Sequence, residues 1–325
     1  MDATDTAGRA PALDVGHVVA TGTRVVDAVG SVLAGREDTA RTAVACLLSG
    51  GHLLIEDIPG VGKTLLAQAL AASIGGSFHR IQGTPDLLPG DVTGSMVPQG
   101  DGFELRFRPG PIFSNIVVFD ELNRANPRTQ SALLEATEEA AVTVDGTTRE
   151  LPQPFLLVAT QNPLEMTGTY PLGEGALDRF AAVVTPGRAG PVHEVEVLTG
   201  RRGRNVLRHV EPVVDIGDLV TARRIVADVF VADAIARYVV AVLDATRNHP
   251  RVRLGASTRG GVSLVGLAKA NAAMDGRHYV TPDDVGVVAE SSLAHRVIVG
   301  DAVGSVRAGR EVVAECLDRV PAPTI

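Results

Sequence analysis

Leu53-Leu54-Ile55-Glu56-Asp57-Ile58-Pro59-Gly60-Val61-Gly62-Lys63-Thr64-Leu65-Leu66-Ala67-Gln68-Ala69-Leu70 passes from a short apolar run, through a glycine turn, into a segment of helix formers. Strand, turn and helix joined by Gly-Lys-Thr are the context that marks a phosphate-binding loop. The backbone N–H groups of such a loop wrap a polyphosphate, and the helix N-terminus adds partial positive charge. Asp57 stands where the usual pattern opens on glycine. Composition supplies a separate argument. Lys63 and Lys269 are the only lysines among 30 basic residues. A chain that writes arginine almost everywhere writes lysine here, where a compact ammonium has to reach between phosphates. Pro59, Gly60, Val61, Gly62, Lys63, Thr64 and Leu65 are therefore the expected nucleotide-binding residues. The plainer alternative is a glycine turn ending a strand, with a surface lysine after it.

Working outward, 325 residues exceed one typical domain and two are expected. A hydrophobic fraction of 45% with 21% charged residues is that of a soluble globular protein. No apolar run reaches 18 residues, and Met1 to Pro11 lacks a basic-then-apolar leader pattern, so a cytoplasmic protein that does not span a membrane is expected. Cys46 and Cys316 lie far apart without ligand spacing, which suggests neither a disulfide framework nor a zinc site. A net charge of −8 disfavours a partner that is mainly nucleic acid, and 3% aromatic residues without tryptophan leave few platforms for bases.

Residues 1–14 are small and polar and are expected to be disordered. Helical periodicity covers Val15 to Leu33 and Asp38 to Ser49, with a stop at Gly50-Gly51. After the loop helix come the strands Ser77 to Ile81, Ile116 to Asp120, Phe155 to Thr160 and Ala182 to Thr185. With Leu53 to Ile55 these make five apolar strands alternating with helices, which implies an α/β fold on a five-stranded parallel sheet with covered faces. Two period-two segments interrupt the alternation. Phe103, Leu105 and Phe107 alternate with Glu104, Arg106 and Arg108 behind the turn Gly100-Asp101-Gly102; Val142 to Val144 and Thr147 to Arg149 flank Asp145-Gly146, a dipeptide suited to a primed turn. These read as hairpins near 93–115 and 142–151, and pattern alone permits ordinary edge hairpins. A linker at Pro186 to Pro191 closes an α/β domain over 15–190. Residues 191–325 read as a small all-helical domain, with Thr281-Pro282-Asp283-Asp284 as one helix start.

The chemistry follows from the loop. A magnesium ion beside such a loop is held by the loop hydroxyl, here Thr64, and by an acid at the end of a neighbouring strand, here Asp120. Glu121 is the candidate general base for water attacking the γ-phosphate, although two acids after a strand otherwise open a solvated loop. Asn162 ends the next strand and can set an amide beside the same water; Asn-Pro also simply marks turns. Arg179 and Arg259 are candidates for stabilising transition-state charge, but spacing does not place either at the phosphate.

The chain resembles the MoxR family of AAA+ ATPases. The resemblance rests on Gly50 to Thr64, Thr84-Pro85-Asp86-Leu87-Leu88-Pro89, Arg108 to Phe113, the run Asp120 to Glu135, Ala159 to Pro163, Gly168 to Leu172, Leu177 to Phe180, Gly255 to Arg259 and Tyr279 to Val285. It implies a helical lid after the α/β domain and a ring, usually a hexamer, with ATP bound between subunits. It implies that Asn162 is the first sensor, Arg259 the second, and Arg179 an arginine finger that reaches a neighbour's γ-phosphate. Both hairpins would then face the pore. It further implies ATP and Mg²⁺ as ligands and chaperone-like work on a protein partner, often one with a von Willebrand A-type domain. An ATPase motor of a metal chelatase is the alternative that shares the inserts; a nucleic-acid motor and a non-hydrolysing switch are weaker ones. Gly83, Gly90, Gly173, Gly175 and Thr258 depart from the family pattern, and the glycines before Arg179 are expected to loosen the helix that presents it.

Overall fold

The computed structural model describes residues 14–33, 35–56, 62–99, 104–162, 168–188, 190–300 and 306–324. The expected disordered segment, save Asp14, lies outside those residues. So do Pro59, Gly60 and Val61 of the loop and the expected turn at Gly100-Asp101-Gly102.

The strands are β1 (Leu53–Glu56), β2 (Phe78–Gln82), β3 (Gly94–Pro98), β4 (Leu105–Pro109), β5 (Ile116–Asp120), β6 (Ala141–Val144), β7 (Thr147–Glu150), β8 (Leu156–Gln161), β9 (Ala182–Val184), β10 (Val252–Leu254) and β11 (Ile298–Val299). Five of them form one parallel sheet in the order β2-β5-β8-β1-β9. Parallel strands need crossovers and helices on both faces, so the residues of β1, β5, β8 and β9 are buried whichever way they point, save Gln161 at the tip of β8. That is why β1, β5 and β8 read as unbroken apolar runs. β2, at the edge, is not covered as the sequence reading expected, and only its Ile81 is buried. Leu53, Ile55, Ile116, Val118, Leu156 and Val158 pack on one side with the helices Val15–Val32, Glu37–Ser49 and Lys63–Ala72. Leu54, Val117, Phe119, Leu157 and Ala159 turn to the other, towards the helix Pro127–Glu139. β1 and β8 end level at Glu56 and Gln161, and β2 and β5 at Gln82 and Asp120, all along one edge of the sheet. That edge is where ligands bind in open α/β sheets.

Both expected hairpins form. β3 pairs with β4 and β6 with β7, each antiparallel. Asp145 and Gly146 both have positive φ, 48° and 72°, the combination that a two-residue primed turn requires. The ribbons touch: the Arg149 guanidinium carbon lies 4.0 Å from the centroid of Phe107, which also meets Phe113 edge-on.

The helices Ile216–Ala227, Asp233–Arg247, Thr258–Met274, Pro282–Leu293 and Val306–Arg319 make up most of the C-terminal part. Thr281 and Asp284 cap the Pro282–Leu293 helix reciprocally, Asp284 N donating to Thr281 Oγ1 and Thr281 N to Asp284 Oδ2. The lid also carries one short antiparallel pair, β10–β11, which no helical periodicity announces. No helix among the described residues is long and apolar enough to cross a membrane.

Candidate nucleotide site

Gly62 sits at φ +89° and caps the helix that begins at Lys63. Leu66, Ala67 and Leu70 anchor this helix in the core, which points its N-terminus at the C-terminal edge of the sheet. Lys63 Nζ donates to the carbonyl of Gln161, at the end of β8, over 3.0 Å. Thr64 Oγ1 donates to Asp120 Oδ1 over 3.1 Å. Asp120, 3% exposed, also accepts from Arg80 Nε at 2.6 Å through its other oxygen. The Thr160 hydroxyl ties the acids together, donating to Asp120 Oδ1 and accepting from Glu121 N at 2.9 Å.

Glu121 leaves the strand in a left-handed conformation, φ +56°, unusual for a side-chain-bearing residue. Its carboxylate accepts from Gln82 Nε2 at 2.9 Å and pairs with Arg124 at 3.3 Å. Gly83 lies directly beneath. Its N–H donates to Asp120 O at 2.7 Å, and a Cβ there would stand 2.2 Å from Glu121 O. The departure from the family's larger residue at Gly83 thus belongs to the same local geometry as the Glu121 turn.

Lys63, Thr64, Leu65, Asp120, Glu121 and Asn162 line a single cavity of about 910 Å³, with Gly62 at its rim. Its lining includes the apolar residues Val32, Leu33, Leu65, Val197 and Leu198 as well as the polar cluster. Six cations among the described lining residues (Arg36, Lys63, Arg80, Arg188, Arg202 and Arg204) face three carboxylates, Asp120, Glu121 and Glu194. An electropositive cavity in a chain of net charge −8 concentrates an anionic ligand. Thr64 and Asp120 offer only hard oxygen donors close together, a set that fits Mg²⁺ alongside phosphate oxygens and water.

Arg179 and Arg259 are not part of this cavity. They come together elsewhere, on Glu138 near the end of the helix Pro127–Glu139. The helix before Arg179 forms over Glu174–Leu177 with Gly173 as its N-cap, and Gly175 O accepts from Arg179 Nη1 at 2.6 Å. Arg80, Gln82, Thr160 and Glu138 escaped the sequence reading, as did Arg36, Arg188, Arg202 and Arg204 of the cavity lining. The alternation of β2 puts Arg80 and Gln82 on one face, and only the pairing of β2 with β5 brings that face to Asp120 and Glu121.

His52 has a different role. It is fully enclosed between β1 and the helix Pro127–Glu139, accepting from Leu157 N through Nδ1 at 3.1 Å and donating through Nε2 to Thr137 O at 3.0 Å. Phe155 packs edge-on against its ring. Burial pushes its pKa down to about 4, partly opposed by the bond to Thr137, so the ring is neutral and structural.

The family model of the ATPase family associated with various cellular activities (AAA) matches residues 52–182, and an AAA lid domain matches residues 244–316. Over 312 residues the chain is 36% identical to Chaperone MoxR1 of Mycobacterium tuberculosis, covering 93% of this chain and 82% of that one. The chain belongs to the MoxR family of AAA+ ATPases. Another relative, the uncharacterised YeaC of Bacillus subtilis, is 46% identical over 276 residues, 85% of this chain and 86% of its own. Among solved structures, a candidate ATPase from Cytophaga hutchinsonii superposes with a TM-score of 0.84 at 34% identity, covering 95% of this chain and 98% of that one. The MoxR assignment agrees with the strand order and with the lid that follows the sheet.

Proposed function

We propose that this MoxR-family chain hydrolyses ATP in a ring, a hexamer by family habit, and spends the conformational change on remodelling a protein partner. One observation carries the reading: Lys63, Thr64, Asp120, Glu121 and Asn162, scattered over a hundred residues of sequence, meet in one electropositive cavity. The apolar lining residues Val32, Leu33 and Leu198 suit the adenine base. The Lys63 ammonium and the helix N-terminus hold the phosphates. Thr64 and Asp120 are the residues that would hold Mg²⁺, which when bound supplies charge neutralisation at the phosphate oxygens. Glu121 orients a water and takes its proton as the water oxygen bonds to the γ-phosphorus; the bond to the β–γ bridging oxygen breaks, and its electron pair leaves with ADP. Asn162 donates a hydrogen bond to that water. Arg179 and Arg259, set away from the chain's own cavity, act on a phosphate held by the next subunit.

The partner reading rests on family resemblance: a protein client, with a von Willebrand A-type partner. Glu121→Gln keeps the shape of the site but removes the base. ATP binding should survive, and turnover should fall about a hundredfold or more; near-normal hydrolysis would sink the assignment. The same variant, stalled with ATP, is the bait for identifying the client.

A further inference from the structure

Arg179 belongs to the turn before β9 and Arg259 to the first turn of the lid helix Thr258–Met274, yet both end on one carboxylate. Arg179 Nε and Nη2 donate to Glu138 Oε2 at 3.0 and 2.7 Å, and Arg259 Nη2 donates to Glu138 Oε1. Each carboxylate oxygen thus serves one guanidinium. The hydrogen bonds from Arg179, followed by the charge and bond of Arg259, hold the Glu138 carboxyl below the usual carboxylate range. Two guanidinium groups brought this close repel each other, and the carboxylate between them offsets the repulsion.

The residues on either side are tied as well. Ser257, the N-cap of the Arg259 helix, donates through Oγ to both oxygens of Asp178 at 3.1 Å. Arg296, 6% exposed, donates through Nε to Asp178 Oδ1 and through Nη2 to Asp178 O, each at 2.8 Å. Asp178, next to Arg179, and Ser257, two residues before Arg259, are therefore bonded to one another across the junction of the α/β domain and the lid. The arginine heads stay reachable, with side-chain exposures of 27% for Arg179 and 46% for Arg259. An ordinary surface ion pair uses neither a shared carboxylate nor a second set of hydrogen bonds beside it, and contributes little.

We infer that Glu138 is the positioning residue of a paired-arginine receptor for the terminal phosphate of a nucleoside triphosphate held by a neighbouring copy of this chain. The inference rests on the reading of Arg179 given under Proposed function. Glu138 touches no reacting atom. It keeps both guanidinium groups side by side before the phosphate arrives, so that the receptor is assembled in advance instead of gathered from two mobile side chains. A glutamine in its place presents an amide N–H₂ to one of the arginines, donor against donor, and the pair separates.

The experiment is a double-mutant cycle on full-length chains, with kcat and KM for ATP measured alongside assembly by sedimentation. Glu138→Gln is expected to lower kcat about tenfold to a hundredfold. KM should stay within about twofold, because Lys63 and its cavity lie in the other subunit. In the Arg179→Ala background the same substitution should add less than about twofold, since the receptor is already dismantled. Glu138→Asp keeps the charge and should recover most of the lost kcat; if Glu138→Gln does not fold, Glu138→Ala takes its place, and its loss must likewise shrink to within about twofold in the Arg179→Ala background. An unchanged kcat in Glu138→Gln overturns the inference, and so do losses that multiply independently of Arg179, which would mark a purely structural carboxylate. Full turnover in Arg179→Ala itself overturns the underlying reading, and the inference with it.

Discussion

His52 makes the fold acid-sensitive in a way that can be isolated. Its ring is neutral in the folded chain and resists protonation down to about pH 4, whereas an unfolded histidine takes a proton near 6.5. Between those values the unfolded state binds the extra proton, so stability falls as pH falls. Each pH unit over which only the unfolded chain carries the proton is worth about 1.4 kcal/mol. The interval from 6.5 to about 4 therefore amounts to about 3 kcal/mol, fully present above pH 6.5 and lost progressively below it. His295, enclosed and bonded to Phe180 O, is pushed the same way by burial, and the carboxyls of Glu138 and Asp284 are held low, so total acid sensitivity is larger. His52→Gln separates the contributions, because its amide can accept from Leu157 N and donate to Thr137 O without titrating. Urea unfolding of both proteins at pH 7, 6, 5 and 4.5 gives the difference in stability at each pH. That difference should shrink by about 2–3 kcal/mol from pH 7 to 4.5 as the histidine's advantage disappears. A difference that stays constant with pH, at equal denaturant slope, would refute the assignment of a buried neutral imidazole.

Two further predictions follow from geometry alone. Gly83→Ala would set a Cβ 2.2 Å from Glu121 O and 3.0 Å from Asp120 O, both backbone atoms, so the acid-bearing turn must move. A loss of about 1–3 kcal/mol in urea unfolding and a fall in turnover are expected, and a variant equal to the parent in both would contradict the close approach. Arg149→Ala removes the cation stacked on Phe107 and should cost about 0.5–2 kcal/mol of local stability; amide exchange in β3 and β4 should quicken, and unchanged protection would show that the ribbons are independent.

Strands β1, β5, β8 and β9 were legible because buried parallel strands admit hardly any polar residues, so apolar runs mark them to within a residue or two; the edge strand β2, Phe-His-Arg-Ile-Gln with only Ile81 buried, carries a much weaker signal. The acid pair and the Gly-Lys-Thr stretch were legible because phosphate chemistry demands particular residue types at fixed offsets. What stayed hidden depends on register and docking. Arg80 meets Asp120 only because β2 lies beside β5, and Thr160 bridges the acids only because β8 lies on β5's other side. Glu138 looked like one acid among several on a solvated helix; its partners come from the turn before β9 and from the lid. β10 and β11, of three and two residues, are too short to show a period.

The His295-Arg296 corner has a consequence for how the molecule comes apart. Ala294 and Val306 of the lid lie in the apolar cluster on one face of the sheet, and Leu264, Leu267, Val285 and Val312 belong to the cluster on the other. By chain order there are two domains, but each apolar layer runs through both without a seam. Exposing the lid would strip the sheet of part of its own cover, so neither half has an independent melting transition to offer. The division between them is one of topology, and cooperativity ignores it.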